Sequence, residues 1–183
     1  MVITRRSENG SIGNDDDGAI YRSRDAAEHW TTLRLPAGVN GPNGIAIDLG
    51  DSNRLYLAAW ARATGVHGEG GGIYLSADGG NTWRRTLDRD QHVYDITIDP
   101  RDPNLLYASG FESCAWRSVD RGEHWTRISG FNFKWGHRVI PDPAAENSVY
   151  ITTFGGSVWH GSVNAAPAPL DIFTPVLDPG NSP

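Results

Sequence analysis

Two neighbouring loops carry side chains that could act as a paired acid and base. Asp95 lies three residues after His92, and Glu112 lies in the next loop along the chain. Hydrolysis of a glycosidic bond requires two carboxyl groups about 5 to 10 Å apart, one on each side of the bond. Asp95, Glu112 and His92 are therefore the candidate catalytic residues. The alternative is that Asp95 only accepts hydrogen bonds from nearby backbone N–H groups.

A second candidate site is the segment FNFKWGHR at 131–138, which has three aromatic and three potentially cationic side chains in eight positions. Aromatic faces stack on the C–H faces of sugar rings, and charged groups beside them can bind hydroxyls. The alternative is that Phe131, Phe133 and Trp135 pack between sheets. The predicted ligand-binding residues are Trp60, Arg62, Phe133, Lys134, Trp135, His137 and Arg138.

Composition argues against several other classes of function. The formal charge is −6 with a pI near 5.4, and the scattered Lys and Arg residues do not form a nucleic-acid footprint. The six His residues lack the spacing of a metal site, and no nucleophile elbow or phosphate loop is present, so no metal and no cofactor are predicted. Cys114 is the only cysteine and is expected to be a small buried residue. No apolar run is long enough to span a membrane.

The elements that must position these residues are marked by an octet that occurs three times, SRDAAEHW at 23–30, SADGGNTW at 76–83 and SVDRGEHW at 118–125. An Asp in such a turn can accept hydrogen bonds from the N–H groups that follow it, and a Gly allows the bend. The Trp offers a large apolar face for packing between sheets. The structural residues of the octets are Ser23, Asp25, Trp30, Ser76, Asp78, Gly80, Thr82, Trp83, Ser118, Asp120, Gly122 and Trp125.

The pattern S-x-D-x-G-x-T-W resembles the Asp-box, or bacterial neuraminidase repeat, of β-propellers in sialidases, xyloglucan-cleaving endoglucanases and sortilin-type receptors. The resemblance implies four-stranded blades with the octet between strands C and D. The first copy departs from the pattern at Ala26, Ala27 and His29, so a less regular turn is expected there. No stretch matches the motifs around the catalytic aspartates of the xyloglucan-cleaving enzymes. RVIP at 138–141 has one residue more than the Arg-Ile-Pro motif of sialidases.

The predicted fold class is all-β, a partial β-propeller of about three to three and a half four-stranded antiparallel blades. The tryptophans that end the second and third octets are 42 residues apart, which matches the roughly 40 to 45 residues of a propeller blade. The first and second are 53 residues apart, so this interval is expected to carry an insertion of about ten residues, in the loop between Trp60 and Gly72. A closed ring has about four to eight blades, so further blades or self-association are expected to be needed to close it. The predicted units are 1–36, 43–88, 93–130 and 137–163, followed by a Pro/Ala-rich tail at 164–183 that offers one extra strand or none.

Two functions remain open at this level. The first is a fragment of a glycosyl hydrolase-like propeller that binds carbohydrate and is not catalytically complete alone, with a polysaccharide or glycan as its partner. The second is a non-catalytic, sortilin-like scaffold for protein or peptide. The N-terminal MVITRRSENG has no apolar run for a signal peptide, so the sequence assigns no compartment. A longer parent of this type is expected to act outside the cytoplasm.

Overall fold

The computed structural model describes residues 2–3, 18–39, 41–61, 70–131 and 134–166, and the regular structure in them is entirely β-strand. The strands form four antiparallel sheets of three, four, four and three strands. The first sheet contains β1 (Val2–Ile3), β2 (Ala19–Arg22) and β3 (Thr31–Leu33). The second contains β4 (Pro42–Asp48), β5 (Asp51–Ala59), β6 (Gly72–Ser76) and β7 (Arg84–Leu87).

The third and fourth sheets repeat this order. The third contains β8 (Val93–Asp99), β9 (Asp102–Gly110), β10 (Cys114–Ser118) and β11 (Thr126–Arg127). The fourth contains β12 (Gly136–Pro141), β13 (Ser148–Thr153) and β14 (Val158–Ser162). Strands that are consecutive in the chain pair within each sheet. The all-β partial propeller is thus confirmed, with strands B to D of one blade, two whole blades and strands A to C of another.

The sheets pack face to face because their middle strands are apolar on both sides. The last five residues of β5 and of β9 are all buried, as expected for a continuous apolar run in a strand covered on both faces. Three core clusters fill the spaces between successive sheets. The innermost strands β4, β8 and β12 contact one another in sequence, which is the arrangement of neighbouring propeller blades.

All three octets form the same hydrogen-bonded turn. In the second octet, Gly80 N donates to Ser76 Oγ (2.8 Å) and Thr82 N donates to Asp78 Oδ1 (2.9 Å). The first octet makes the equivalent bonds, from Ala27 N to Ser23 Oγ (2.8 Å) and from His29 N to Asp25 Oδ1 (2.9 Å). The expectation of a less regular first turn was wrong.

The first octet keeps this turn although two alanines occupy its bend. Ala26 and Ala27 have φ values of 55° and 75°, in the left-handed region that favours glycine. His29 replaces the usual Thr, and its Nδ1 lies 2.6 Å from Asp25 Oδ2, where the hydroxyl of Thr82 reaches Asp78 in the second copy. The hydrogen bonds of the turn therefore outweigh the backbone strain at the two alanines.

The tryptophans of the second and third octets pack toward the sheet that precedes them. Trp125 is 4% exposed, and its Nε1 donates to Thr86 Oγ1 (3.0 Å) in the second sheet. Trp83 packs against the core between the first and second sheets. Trp30 is 43% exposed because no earlier sheet covers it among the described residues.

Three further features of the chain are its cysteine, its C-terminal tail and its lack of a long apolar helix within the described residues. Cys114 is buried, and burial raises the pKa of its thiol to about 12. The strand considered at 171–177 lies outside the described residues. Within the described ranges, no helix is long and apolar enough to cross a membrane.

Candidate functional site

The two ends of each sheet carry different loops. In the second sheet, Ser76 pairs with Leu55 and Gly72 pairs with Ala59, so the octet and Trp60 lie at opposite ends. The third sheet repeats this register, with Ser118 opposite Leu106 and the start of β10 opposite the end of β9. The octets are therefore at one end of the molecule, and the loops that carry the candidate site residues are at the other. We refer to the latter as the loop end.

A continuous set of aromatic rings crosses the loop end. Trp60 of the second sheet lies with its ring centroid 4.6 Å from that of Tyr94 in the third. Tyr94 is in turn 4.7 Å from Phe154 of the fourth sheet and 6.2 Å from Phe111. The rings of the set, called the aromatic row below, are Trp60, His92, Tyr94, Phe111, Trp135, His137 and Phe154.

The aromatic row has a repeated origin in the sequence. Trp60, Phe111 and Phe154 each come directly after the last residue of β5, β9 and β13. Because the three middle strands are equivalent in their sheets, the three rings occupy the same position in successive blades. Tyr94 and His137 lie near the start of the inner strands β8 and β12, between these positions.

One end of the aromatic row opens into a pocket of about 400 Å³. Its walls include Trp135, which is 50% exposed, Phe154, which is 44% exposed, and Trp159, which is 48% exposed. Lys134 lies at its edge and supplies a cationic side chain. Another pocket, of about 500 Å³, lies at the octet end but has no aromatic ring; it is lined by residues such as Ala46, Ile47, Leu49, Ile98 and Pro103.

The charged groups of the loop end are paired differently from the sequence-based expectation. His92 Nδ1 contacts Glu112 Oε1, not Asp95. Asp95 Oδ2 instead accepts a hydrogen bond of 2.6 Å from Arg138 Nε in the neighbouring sheet. Neither bond joins residues that are close in the chain, so the spacing of His92 and Asp95 in the sequence could not predict either of them.

Asp90 is the carboxylate that accepts backbone hydrogen bonds, the role considered for Asp95. Its side chain is almost fully buried, and it accepts bonds from His92 N (3.0 Å) and Ser113 N (3.1 Å). Burial and the neighbouring Glu112 raise the pKa of Asp90 to about 6, although its bond from His92 N acts in the opposite direction.

The other predicted ligand-binding residues fall into three groups. Trp60, Trp135 and His137 belong to the aromatic row, and Lys134 and Arg138 lie beside it. Arg62 and Phe133 lie outside the described residues. Phe131, for which packing was the alternative, is 5% exposed in the core between the third and fourth sheets.

Sequence reasoning placed Phe111 and Phe154 in loops of the candidate face without counting them among the ligand-binding residues, and it did not select Tyr94 or Trp159 at all. A usable signal was present for two of them, because Trp60, Phe111 and Phe154 each lie 12 residues after the Asp that ends an inner strand or follows it. Tyr94 and Trp159 are single aromatics within strands, and their position at the loop end depends on strand register.

One group of exposed side chains has the composition of a metal site. Ligand atoms of Asp25, Glu28 and His29 lie within 4.8 Å of one another. The contact between Asp25 and His29 is the bond of the first octet turn, and Asp120 and His124 repeat it at 2.7 Å in the third octet. The grouping thus follows from the turn itself.

Comparison with known proteins relates the chain to large polysaccharide-degrading enzymes. No family model matches it. It is 27% identical over 201 aligned residues to a xyloglucanase of Paenibacillus sp, covering 99% of this chain and 19% of that protein. A xyloglucanase of Hypocrea jecorina is 25% identical over 175 residues, covering 87% of this chain and 20% of that protein. The chain therefore spans about a fifth of the length of these relatives.

Solved structures support the same fold. The GH74 xyloglucanase of Xanthomonas campestris matches with a TM-score of 0.64 and 22% identity, over 82% of this chain and 27% of that one. At these identities the likeness shows the fold alone. Homology to propeller-type glycosyl hydrolases therefore comes from the sequence relatives.

Proposed function

We propose that this chain is a section of a glycosyl hydrolase-like β-propeller that binds a polysaccharide of the xyloglucan type along the aromatic row. The observation that carries the proposal is the continuity of the row across three sheets, with Trp135 and Phe154 about half exposed. A polysaccharide presents successive rings with apolar faces, and the repeated ring positions of the blades present apolar faces in succession. The xyloglucanase relatives support this choice of ligand.

The polar groups beside the row suit a hydroxyl-rich ligand. Glu112 and Arg138 are about half exposed, so their outer atoms can still reach a ligand while they keep their partners His92 and Asp95. Lys134 adds a donor beside the pocket. We also propose that the three octets are Asp-boxes, since the second copy matches the pattern completely and all three form one turn.

The carboxyl groups favour binding over complete catalysis. Glycoside hydrolysis uses two carboxyls about 5 to 10 Å apart, with the substrate between them. Asp90 is buried, and its oxygens already accept hydrogen bonds from His92 N and Ser113 N, so it is not placed to act on a sugar. Asp95 is held by Arg138. We therefore expect the chain alone to bind without cleaving, and a longer parent to supply the catalytic pair.

Affinity electrophoresis and calorimetry with xyloglucan test this function. We expect the folded wild-type protein to bind xyloglucan, and Trp135→Ala to weaken binding about tenfold, the effect of roughly 1 kcal/mol or more from one stacked ring. Trp30→Ala is the matched control, because Trp30 is an exposed Trp at the octet end. A folded wild-type protein without affinity for xyloglucan, or an equal loss in both variants, would contradict the proposal.

A further inference from the structure

The inner strands β4, β8 and β12 share an irregularity at the loop end. In each of them the pairing with the middle strand skips one residue and then resumes at Gly44, Asp95 or Arg138. The skipped residues are Asn43, Tyr94 and His137. Bulges of this kind redirect side chains and are common beside binding sites. Gly44, Asp95 and Arg138 therefore occupy one equivalent position in three neighbouring blades, directly after the residues that bring Tyr94 and His137 into the aromatic row.

Asp95 lies between the other two members of this set. Its Oδ2 accepts the 2.6 Å hydrogen bond from Arg138 Nε. On its other side, a Cβ atom added to Gly44 would lie 2.9 Å from Asp95 Oδ1, so the carboxylate fills the space beside this glycine. The Asp95 side chain is 19% exposed, whereas that of Arg138 is 54% exposed. The arginine is therefore the polar group that these three positions present to solvent.

The bond to Asp95 uses only part of the guanidinium group. A guanidinium has five N–H donors in a planar fork, and the four on its two Nη atoms lie away from Nε. Sugar hydroxyls can accept hydrogen bonds from these donors without carrying a charge. An anionic group would also be attracted by Arg138, but the carboxylate of Asp95 repels it from almost the same distance, so most of the electrostatic gain is cancelled.

We propose that Asp95 is a specificity-determining residue, which holds Arg138 beside the aromatic row and offsets its charge, so that the row binds uncharged sugars in preference to acidic ones. The inference rests on the proposed function. Two further observations act in the same direction. The nearby His92 is in contact with the carboxyl of Glu112, and the formal charge of −6 on the whole chain repels a polyanion.

Calorimetry with xyloglucan and with carboxymethyl xyloglucan tests the inference, because the two polymers share a backbone and differ in charge. We expect the wild-type protein to bind the uncharged polymer more tightly. Asp95→Asn keeps the shape of the side chain and removes its charge. It should raise the affinity for the carboxymethyl polymer, relative to xyloglucan, about fivefold, the factor expected for two unit charges about 4 Å apart in water.

Asp88→Asn is the matched control. It changes the net charge equally and removes an exposed carboxylate from the loop that precedes β8. Because Asp88 does not offset Arg138, this variant should shift the ratio of the two affinities by less than about twofold. Lys134, at the edge of the pocket, is unchanged in both variants, so its attraction for anions does not affect the comparison.

Salt separates an effect of charge from an effect of altered shape. The gain in Asp95→Asn should disappear near 1 M salt, where the screening length is about 3 Å. If Asp95→Asn does not fold, Arg138→Gln leaves the charge of Asp95 unopposed and should instead lower the relative affinity for the carboxymethyl polymer.

The outcomes distinguish this inference from the proposed function. Equal wild-type affinity for the two polymers, an equal shift in Asp95→Asn and Asp88→Asn, a gain that persists at high salt, or an unchanged ratio in Arg138→Gln overturns the inference and leaves xyloglucan binding intact. Absence of xyloglucan binding by the folded wild-type protein overturns the proposed function instead.

Discussion

Replacement of Gly122 by alanine tests how closely the octet turns pack against the preceding sheet. Gly122 has φ +79°, and an added Cβ would lie 2.7 Å from Cε1 of Tyr56, a fully buried side chain. The left-handed backbone costs an alanine about 1–2 kcal/mol, and the overlap with Tyr56 costs about 1–3 kcal/mol more. We expect Gly122→Ala to lower the free energy of unfolding by about 2–5 kcal/mol, measured by urea denaturation.

Gly38→Ala separates the two contributions. Gly38 has the same φ of +79° but no atom within 4 Å of an added Cβ, so only the backbone cost of about 1–2 kcal/mol applies. Ala27 occupies the octet position equivalent to Gly122 and has φ 75°. Ala27→Gly should therefore stabilise the protein, by about 0.5–1 kcal/mol after the entropy of glycine in the unfolded chain is counted. Equal losses in Gly122→Ala and Gly38→Ala would refute the packing argument.

Three further predictions concern the same scaffold. Asp120→Ala should destabilise the protein by about 1–3 kcal/mol in urea denaturation, because it removes the acceptor for two donors of its turn; Asp88→Ala, at an exposed loop position, should cost less. Hydrogen bonds within their turns lower the pKa values of Asp25 and Asp78 to about 2. Burial acts to raise the pKa of Asp120, but the hydrogen bonds of its turn lower it to about 2 as well. Their stabilisation is present above pH 4 and should be lost as pH falls toward 2, seen as a falling Tm; a constant Tm over that range would contradict it. Cys114, with its thiol pKa near 12, should react with a thiol reagent only after unfolding, and rapid reaction of the native protein would show that it is accessible.

The fold could be predicted from sequence because the information is local and repeated. The octet needs only eight residues to define its turn, and the apolar strands before and after it define a sheet of known size. The chain also holds a weaker fourth copy, which begins at Ser162. Asn164 N donates to Ser162 Oγ (3.2 Å), as Asp78 N does to Ser76 Oγ (3.3 Å), but Asn replaces Asp and no Trp follows.

The candidate site was predicted only in part because its contacts join different sheets. The position of Trp60 and Trp135 at one end follows from strand order, which the repeats reveal. The bonds from Arg138 to Asp95 and from Ser113 N to Asp90 depend on how loops approach one another in space. Likewise, the regular turn at Ala26 and Ala27 reflects hydrogen bonds that overcome local backbone preference. The residue types at the bend therefore predicted an irregular turn that the structure does not have.

The placement of the octets and the aromatic rings at opposite ends of the strands has an evolutionary consequence. Substitutions that alter the proposed binding surface fall on loops outside the octet turns, while substitutions in the octets lie at the far end of the strands from the aromatic row. Selection can therefore act on the two properties almost independently. A repeat unit of this kind can lose its octet tryptophan and keep its ring in the aromatic row, or exchange that ring and keep the octet tryptophan.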